Sequence, residues 1–371
     1  MGILSDLPYI PVATTTSKKA LILNQEKLAV PTEPPSSLKR VAGGGLTWGL
    51  PRTFSGYRAV VDTAIGGKAT KWILRNEESP NDFYIAKFGN KNGRIEVYTE
   101  LFNNQLGTAL GFEMAHSGLA RLDKDVYFVT RNFREENERL VHGSLMVEEV
   151  FAAPKATEKI EYNQEQAFYT IDVVYQVIRD FCGAQSAAVF LGFVEMLVFD
   201  ALIGSMDRHA QNWGVLQTAT APQRFRFSPV FDSARALFWD IPDGRLLSFD
   251  YDEEALTEDE TALRKAQQPL RKYVENSKPC IGPEPNHPKM NKCNHFDLVR
   301  NLMKLYPTET NQALAKLPSD VGAKAATILG GFPFADAFWS VRKRMIIRTL
   351  SMRGALLHEI LNEGGGHAIN P

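Results

Sequence analysis

The apolar residues of this chain change period partway along. From Tyr57 to Phe133 they recur in short alternating runs, which predict strands at Tyr57–Val61, Trp72–Arg75, Phe83–Phe88, Ala115–Leu122 and Asp125–Phe133. One helix interrupts them, from Ile95 to Leu110. Glu100, Asn104 and Thr108 recur there every four residues, opposite Leu101, Leu106 and Leu110, and Gly111 supplies a stop. Past Pro154 the spacing turns helical. Phe168, Ile171, Val174, Tyr175 and Ile178 lie on one face, Asn163 and Gln166 form a capping-box pattern, and Gly183 ends the run. Ser186 then caps a helix, apolar nearly all round, that runs to Gly204. Such a helix belongs at the centre of a lobe. A last amphipathic helix spans Asp336–Asn362. Phe338, Val341, Met345, Ile346, Leu356, Leu357 and Ile360 face inward, and Arg342, Lys343, Arg344, Arg348 and Arg353 form a solvated face.

This pattern gives an α+β fold in three parts: an arm over residues 1–45, a mainly β lobe over 46–150, and a mainly helical lobe over 151–371. Pro31, Pro34 and Pro35 and then Gly43–Gly45 break the arm, in which Leu21–Leu23 is a short strand candidate. Composition narrows the picture further. With 42 basic and 43 acidic residues the net charge is -1, which favours neither nucleic acid nor an anionic membrane as partner. The apolar stretch Ala187–Ile203 is short for a membrane span and carries Glu195 and Asp200, so it reads as a buried helix. Three cysteines fit a reducing compartment, and the N-terminus lacks a secretory pattern, so the expected location is cytoplasmic.

The chemistry concentrates between that apolar helix and the apolar run after it. Asp207-Arg208-His209-Ala210-Gln211-Asn212 places an acid and a carboxamide five residues apart, and Phe227–Asp232 follows as a strand that ends on a second acid. Hard oxygen ligands suit Mg²⁺, which takes only one or two carboxylates, so Asn212 and Asp232 fit a metal role and Asp207 is left as a free base. Upstream, Lys87 lies within the apolar strand Phe83–Phe88, and Glu100 on the next helix is a candidate partner for it. The turn Thr63–Lys71, with Gly66, Gly67, Lys68 and Lys71, is a glycine loop able to lie over phosphates. Each residue also has a plainer reading: a hairpin turn for the glycine loop, a solvated carboxylate for Glu100, turn or capping roles for Asp207, Asn212 and Asp232. Residues 126–133 or 145–150 would cross between the lobes and meet an adenine. Cys280, His287, Cys293 and His295 lie close in sequence, but without a Cys-x-x-Cys knuckle they read as an ordinary loop sooner than a zinc site.

The acid–carboxamide–acid order resembles a protein-kinase catalytic loop and its metal-binding strand. The histidine inside the loop, Asp-x-His-x-x-Asn, resembles more closely the HipA-like serine/threonine kinases, as does Ser228-Pro229-Val230-Phe231-Asp232. Those are the toxin halves of bacterial toxin–antitoxin systems and distant relatives of protein and phosphatidylinositol kinases. The resemblance covers residues 55–240 and implies a bilobal protein-kinase-like fold with ATP and Mg²⁺ as cofactors. It implies Asp207 as the catalytic aspartate and Asn212 and Asp232 as metal ligands; His209, read from the loop itself, is a hydrogen-bonder bracing it, with a direct catalytic role as the alternative. Lys87 and the Gly66–Lys71 loop would contact phosphates. A protein acceptor and an antitoxin-type partner follow by the same resemblance. The arm before the pattern is shorter than the family's antitoxin-contacting subdomain, so that contact is expected to differ here. The same scaffold also serves lipid and small-molecule kinases, and nucleotide-binding pseudokinases.

Overall fold

The computed structural model describes residues 57–61, 71–76, 82–87, 94–122, 125–151, 169–252, 254–256, 258–283, 293–332 and 338–365. The arm over 1–45, the loop Gly66–Lys68, the helix start at Asn163 and Gln166, and His287 lie outside them.

The alternating runs form strands β1 (Tyr57–Val61), β2 (Lys71–Asn76), β3 (Phe83–Lys87), β4 (Ser117–Leu122) and β5 (Asp125–Arg131). They make one antiparallel sheet in the order β1-β2-β3-β5-β4. In β3 the burial alternates, with Tyr84 and Ala86 inside. Helix α1 (Arg94–Ala109) packs on this sheet. Most of its polar face is not solvated: Glu100, Asn103 and Asn104 are buried against partners on other elements, and Thr108 alone of the spaced polar residues is exposed. Gly111 stops the segment with a positive φ of 79°.

Strand β6 (Glu138–His142) leads into α2 (Gly143–Phe151), so residues 145–150, one of the two lobe crossings weighed above, are helical. Helix α3 (Ile171–Cys182) follows, capped by the Thr170 hydroxyl and stopped by Gly183. The apolar helix α4 (Ser186–Ile203) is next. Ser186 is its first helical residue and does not cap it; the cap position is Gln185, with no side-chain bond. As its composition requires, α4 is buried among α3, α6 (His295–Leu305), α7 (Pro307–Leu314) and α9 (Ser340–Gly365). Between α4 and α6 lies α5 (Glu260–Asn276), and α8 (Val321–Gly330) packs on α9.

A second antiparallel sheet joins β6 to β7 (Gly214–Thr218) and β8 (Phe225–Phe227). Helix α4 crosses β8 closely. A Cβ on Gly192 would lie 2.6 Å from the Cβ of Phe227, so only glycine fits there. The strand expected to end on Asp232 is shorter than its apolar run suggested. It stops at Phe227, and Val230 makes only an isolated parallel bridge to Met114.

The solvated face expected on the last helix is partly wrong. Arg342 and Arg353 are each 1% exposed. Arg342 pairs with Asp243 and donates to the carbonyls of Phe238 and Ile241. Arg353 donates to the carbonyls of Ala201 (2.7 Å) and Val274 (2.8 Å). A guanidinium has five donors, enough to make burial tolerable when backbone oxygens are to hand.

Candidate active site

The site is built where α4 ends. Gly204 takes a left-handed φ of 69° and turns the chain out of the helix. The carbonyls left over at the helix end find partners in the site itself: Ser205 N–H bonds the Asp200 carbonyl at 3.0 Å, and Leu237 N–H bonds that of Ile203 at 3.2 Å. Asp200 is a buried acid on a largely apolar helix, and burial pushes its carboxyl up. Arg208 pulls the other way. Its Nε and Nη2 reach the two carboxylate oxygens at 2.8 and 2.9 Å. Burial disfavours the charge on Arg208, but Asp200 more than restores it, and the guanidinium holds its proton above the ordinary range.

Arg208 does more than neutralise Asp200. Its remaining nitrogen, Nη1, donates to the carbonyl of Asn212 at 2.7 Å and to that of Phe231 at 2.6 Å. One atom thus ties the Asp207–Asn212 loop to the residue before Asp232. The motif gave Arg208 no role of its own. A signal was present: an acid near the end of an apolar helix needs a cation when buried, and Arg208 lies eight residues on.

Asp207 emerges half-buried, and Arg235 Nη1 lies 3.1 Å from its Oδ1. Burial raises the Asp207 pKa, while Arg235 and then His209 oppose the rise and Asp232 adds to it. The Asn212 side chain donates its Nδ2 to the Asp207 carbonyl at 2.6 Å. That uses one of the two amide hydrogens and leaves the amide oxygen as an acceptor. His209 braces the turn locally: its Nδ1 accepts from the Gln211 N–H at 3.3 Å, and its carbonyl accepts from the Asn212 N–H at 2.9 Å. Asp232 sits at a left-handed φ of 57°, which Asp tolerates better than most residues.

Lys87 closes the constellation from the other side. Its Nζ lies 3.1 Å from Asp232 Oδ1 and 3.2 Å from Glu100 Oε1. Burial alone would lower its pKa, but the two carboxylates outweigh burial and hold it above its ordinary value. Helix α1 sets this geometry twice over. It carries Glu100, and its buried Asn103 donates to the Ser233 carbonyl at 2.7 Å. The chain after α1 then runs beside the approach to Asp232, with Ala115 N–H on the Val230 carbonyl (2.9 Å) and Val230 N–H on the Glu113 carbonyl (2.8 Å).

Of the residues expected to form one site, Asp207, His209, Asn212, Asp232, Lys87 and Glu100 come together. Lys71 opens β2 and stands opposite Lys87 in the strand register. Gly66, Gly67 and Lys68 lie outside the described residues. Asn212 and Asp232 offer an amide oxygen and a carboxylate, hard donors of the kind Mg²⁺ accepts. Of the cysteine and histidine residues noted above, the described ones, Cys280, Cys293 and His295, do not form a metal cluster. Cys280 Sγ donates to the Met206 carbonyl at 3.1 Å, Cys293 Sγ to that of Asn294 at 3.3 Å, and His295 is wholly buried. Among the described residues no three His, Cys, Asp or Glu side chains are grouped to hold a metal ion.

Known proteins share the family profile and the fold of this chain. A profile of the HipA-like C-terminal domain matches residues 63–278. The crystal structure of CtkA, a proinflammatory kinase of Helicobacter pylori, superposes with a TM-score of 0.61 at 16% identity, over 84% of this chain and 98% of that one. HipA of Shewanella oneidensis MR-1, from a toxin–antitoxin complex with HipB and operator DNA, gives 0.47 at 12% identity, over 91% and 71%. No curated protein matches in sequence. The fold is therefore kinase-like, with sheets in the N-terminal part and mainly helices in the C-terminal part.

Proposed function

The chain belongs to the HipA-like C-terminal domain family, and on that premise we propose that it is an ATP- and Mg²⁺-dependent protein serine/threonine kinase. The observation that carries the reading is Lys87, held between Glu100 and Asp232 at 3.2 and 3.1 Å while Arg208 fastens Asp232's neighbour to the Asp207–Asn212 loop. A cation suited to phosphate, a carboxylate suited to a metal and a second carboxylate, paired with Arg235, are thereby brought together.

Phosphoryl transfer asks a protein mainly for positioning and charge. Lys87, aimed by Glu100, meets the non-transferred phosphates of ATP. Asn212 and Asp232 hold Mg²⁺, which neutralises phosphate charge when bound. Asp207 orients the acceptor hydroxyl and takes its proton. A raised pKa suits a base, since proton affinity is what that role needs. The chain carries only three cysteines, which fits a cytoplasmic setting.

The test is transfer of label from γ-labelled ATP with Mg²⁺ to a panel of protein acceptors and to the chain itself. A positioned base contributes roughly 10²–10⁴-fold, so Asp207→Ala should lose about that much. Equal labelling by both proteins refutes the role of Asp207. Labelling of inositol lipids with no protein labelled replaces the protein-kinase reading with a lipid-kinase one.

A further inference from the structure

Arg235 is the cation beside the reacting carboxylate, and neither the sequence motif nor the family match gives it a task. Its surroundings are specific. The main-chain carbonyl of Arg235 accepts the Met206 N–H at 3.1 Å, which fixes the residue against the Asp207 loop. One face of its guanidinium lies over the Trp239 ring, 5.3 Å from the centroid. One edge meets Asp207 Oδ1 at 3.1 Å. The side chain is still 44% exposed, so the rest of its donor fork is open to solvent beside Asp207.

The charge balance of the site shows what that fork is for. Glu100 and Asp232 share Lys87, and Asp200 is matched by Arg208. Asp207 has Arg235. Nucleotide phosphates bring further negative charge to a cleft that already holds Asp207 and Asp232 in each other's field. Lys87 lies at the Asp232 end; Arg235 lies at the Asp207 end, where the acceptor hydroxyl must sit. A planar guanidinium matches phosphate oxygens with two parallel hydrogen bonds and is weakly hydrated, so it crosses readily from carboxylate to phosphate.

Resting on the kinase reading, we propose that Arg235 binds the γ-phosphate of ATP and stabilises it as it transfers. In that step the acceptor oxygen bonds to the γ-phosphorus as the bond from phosphorus to the β–γ bridging oxygen breaks. The acceptor proton passes to Asp207, and ADP leaves. Arg235 donates to the non-bridging oxygens of the group in flight, where an arginine supplied in cis or in trans acts in other phosphoryl transferases.

The experiment compares calorimetric affinities for AMPPNP and for ADP, each with Mg²⁺, in wild type, Arg235→Ala and Arg235→Lys. A lost charge-assisted pair to the γ-phosphate should weaken AMPPNP by about tenfold in Arg235→Ala, with ADP held within about twofold and Arg235→Lys in between. Retained ADP binding also shows that the variant is folded. Equal losses for both nucleotides, or no loss for either, overturn the proposal, as does a variant impaired only in KM for the acceptor. If wild type binds both nucleotides yet labels no acceptor, the transferase reading fails and the affinity pair still decides on Arg235. If it binds neither, both fail.

Discussion

Removing Arg208 should unfold the site and most of the protein's stability with it. The guanidinium is 2% exposed and makes two bonds to Asp200, at 2.8 and 2.9 Å, and two to main-chain carbonyls, at 2.7 and 2.6 Å. Breaking a buried pair by deleting one partner costs about 3–5 kcal/mol. Each buried carbonyl left without a donor adds roughly 1–3 kcal/mol. The Asp200 carboxyl is already raised by burial, so in Arg208→Met it escapes part of the cost by taking up a proton. The sum is still about 5 kcal/mol, comparable with the whole stability of many domains. Asp200→Asn leaves the carbonyl bonds in place and should cost about 3 kcal/mol, at the lower end of the range for a broken buried pair.

The double variant Asp200→Leu, Arg208→Met separates the two contributions. It removes both charges but still strands the carbonyls of Asn212 and Phe231. It should therefore recover about 2 kcal/mol relative to Arg208→Met alone, and it should not reach wild type. Urea unfolding with a midpoint and slope for each protein gives these differences. Single variants each below about 1 kcal/mol, or a double variant that recovers nothing relative to Arg208→Met, would refute the account of Arg208 as a buried tether. Label transfer adds a second reading: Asp200→Asn keeps the tether between loop and strand and should retain activity that Arg208→Met lacks.

Two other outcomes follow from the same geometry. Glu100→Gln leaves Lys87 with Asp232 as its charged partner, and should cost about 1–2 kcal/mol by urea unfolding and raise KM for ATP by about tenfold; unchanged values for both would remove Glu100 from the site. His295 is wholly buried, and burial first, then Arg353, depresses its pKa well below 6.5, with the Ser205 backbone opposing. The native state therefore keeps the ring neutral while the unfolded chain takes a proton below about 6.5, so stability is full above that pH and falls as pH drops towards 5. The Tm of wild type should decline from pH 7 to pH 5 and that of His295→Leu should decline less; parallel curves would show that His295 does not titrate on unfolding.

How much of this was readable in the chain depends on how local each signal is. The order Lys87, Asp207, Asn212, Asp232 is local spacing, and each residue lies in or beside a short element whose type its apolar pattern gives. Glu100 as the partner of Lys87 was one of two open readings, and only the fold decides between them, by burying the polar face of α1. The errors share one cause. Arg342 and Arg353 look like solvated helix charges because their partners, the carbonyls of Phe238, Ile241, Ala201 and Val274, carry no mark in the sequence. The turn at Asp232 likewise hides inside an apolar run that reads as strand.

Those carbonyls are not scattered. Ala201 lies in the last turn of α4 and Val274 in the last turn of α5, where helix carbonyls lack intrahelical donors. Asn212, Phe231, Phe238 and Ile241 lie in the irregular chain that carries or flanks the candidate catalytic groups. Irregular backbone is usually kept at the surface because water can satisfy it there. Here it runs beneath the site, beside fully buried Trp213 and Phe238, and donors must come from side chains. Arg208, Arg342 and Arg353 supply them, each to two carbonyls, from one loop and one distant helix. Lysine offers a point charge and no planar fork, so it would not span two carbonyls in this way. A site of this kind needs loops for its chemistry and rigidity for its geometry, and three buried guanidinium groups let the same backbone have both.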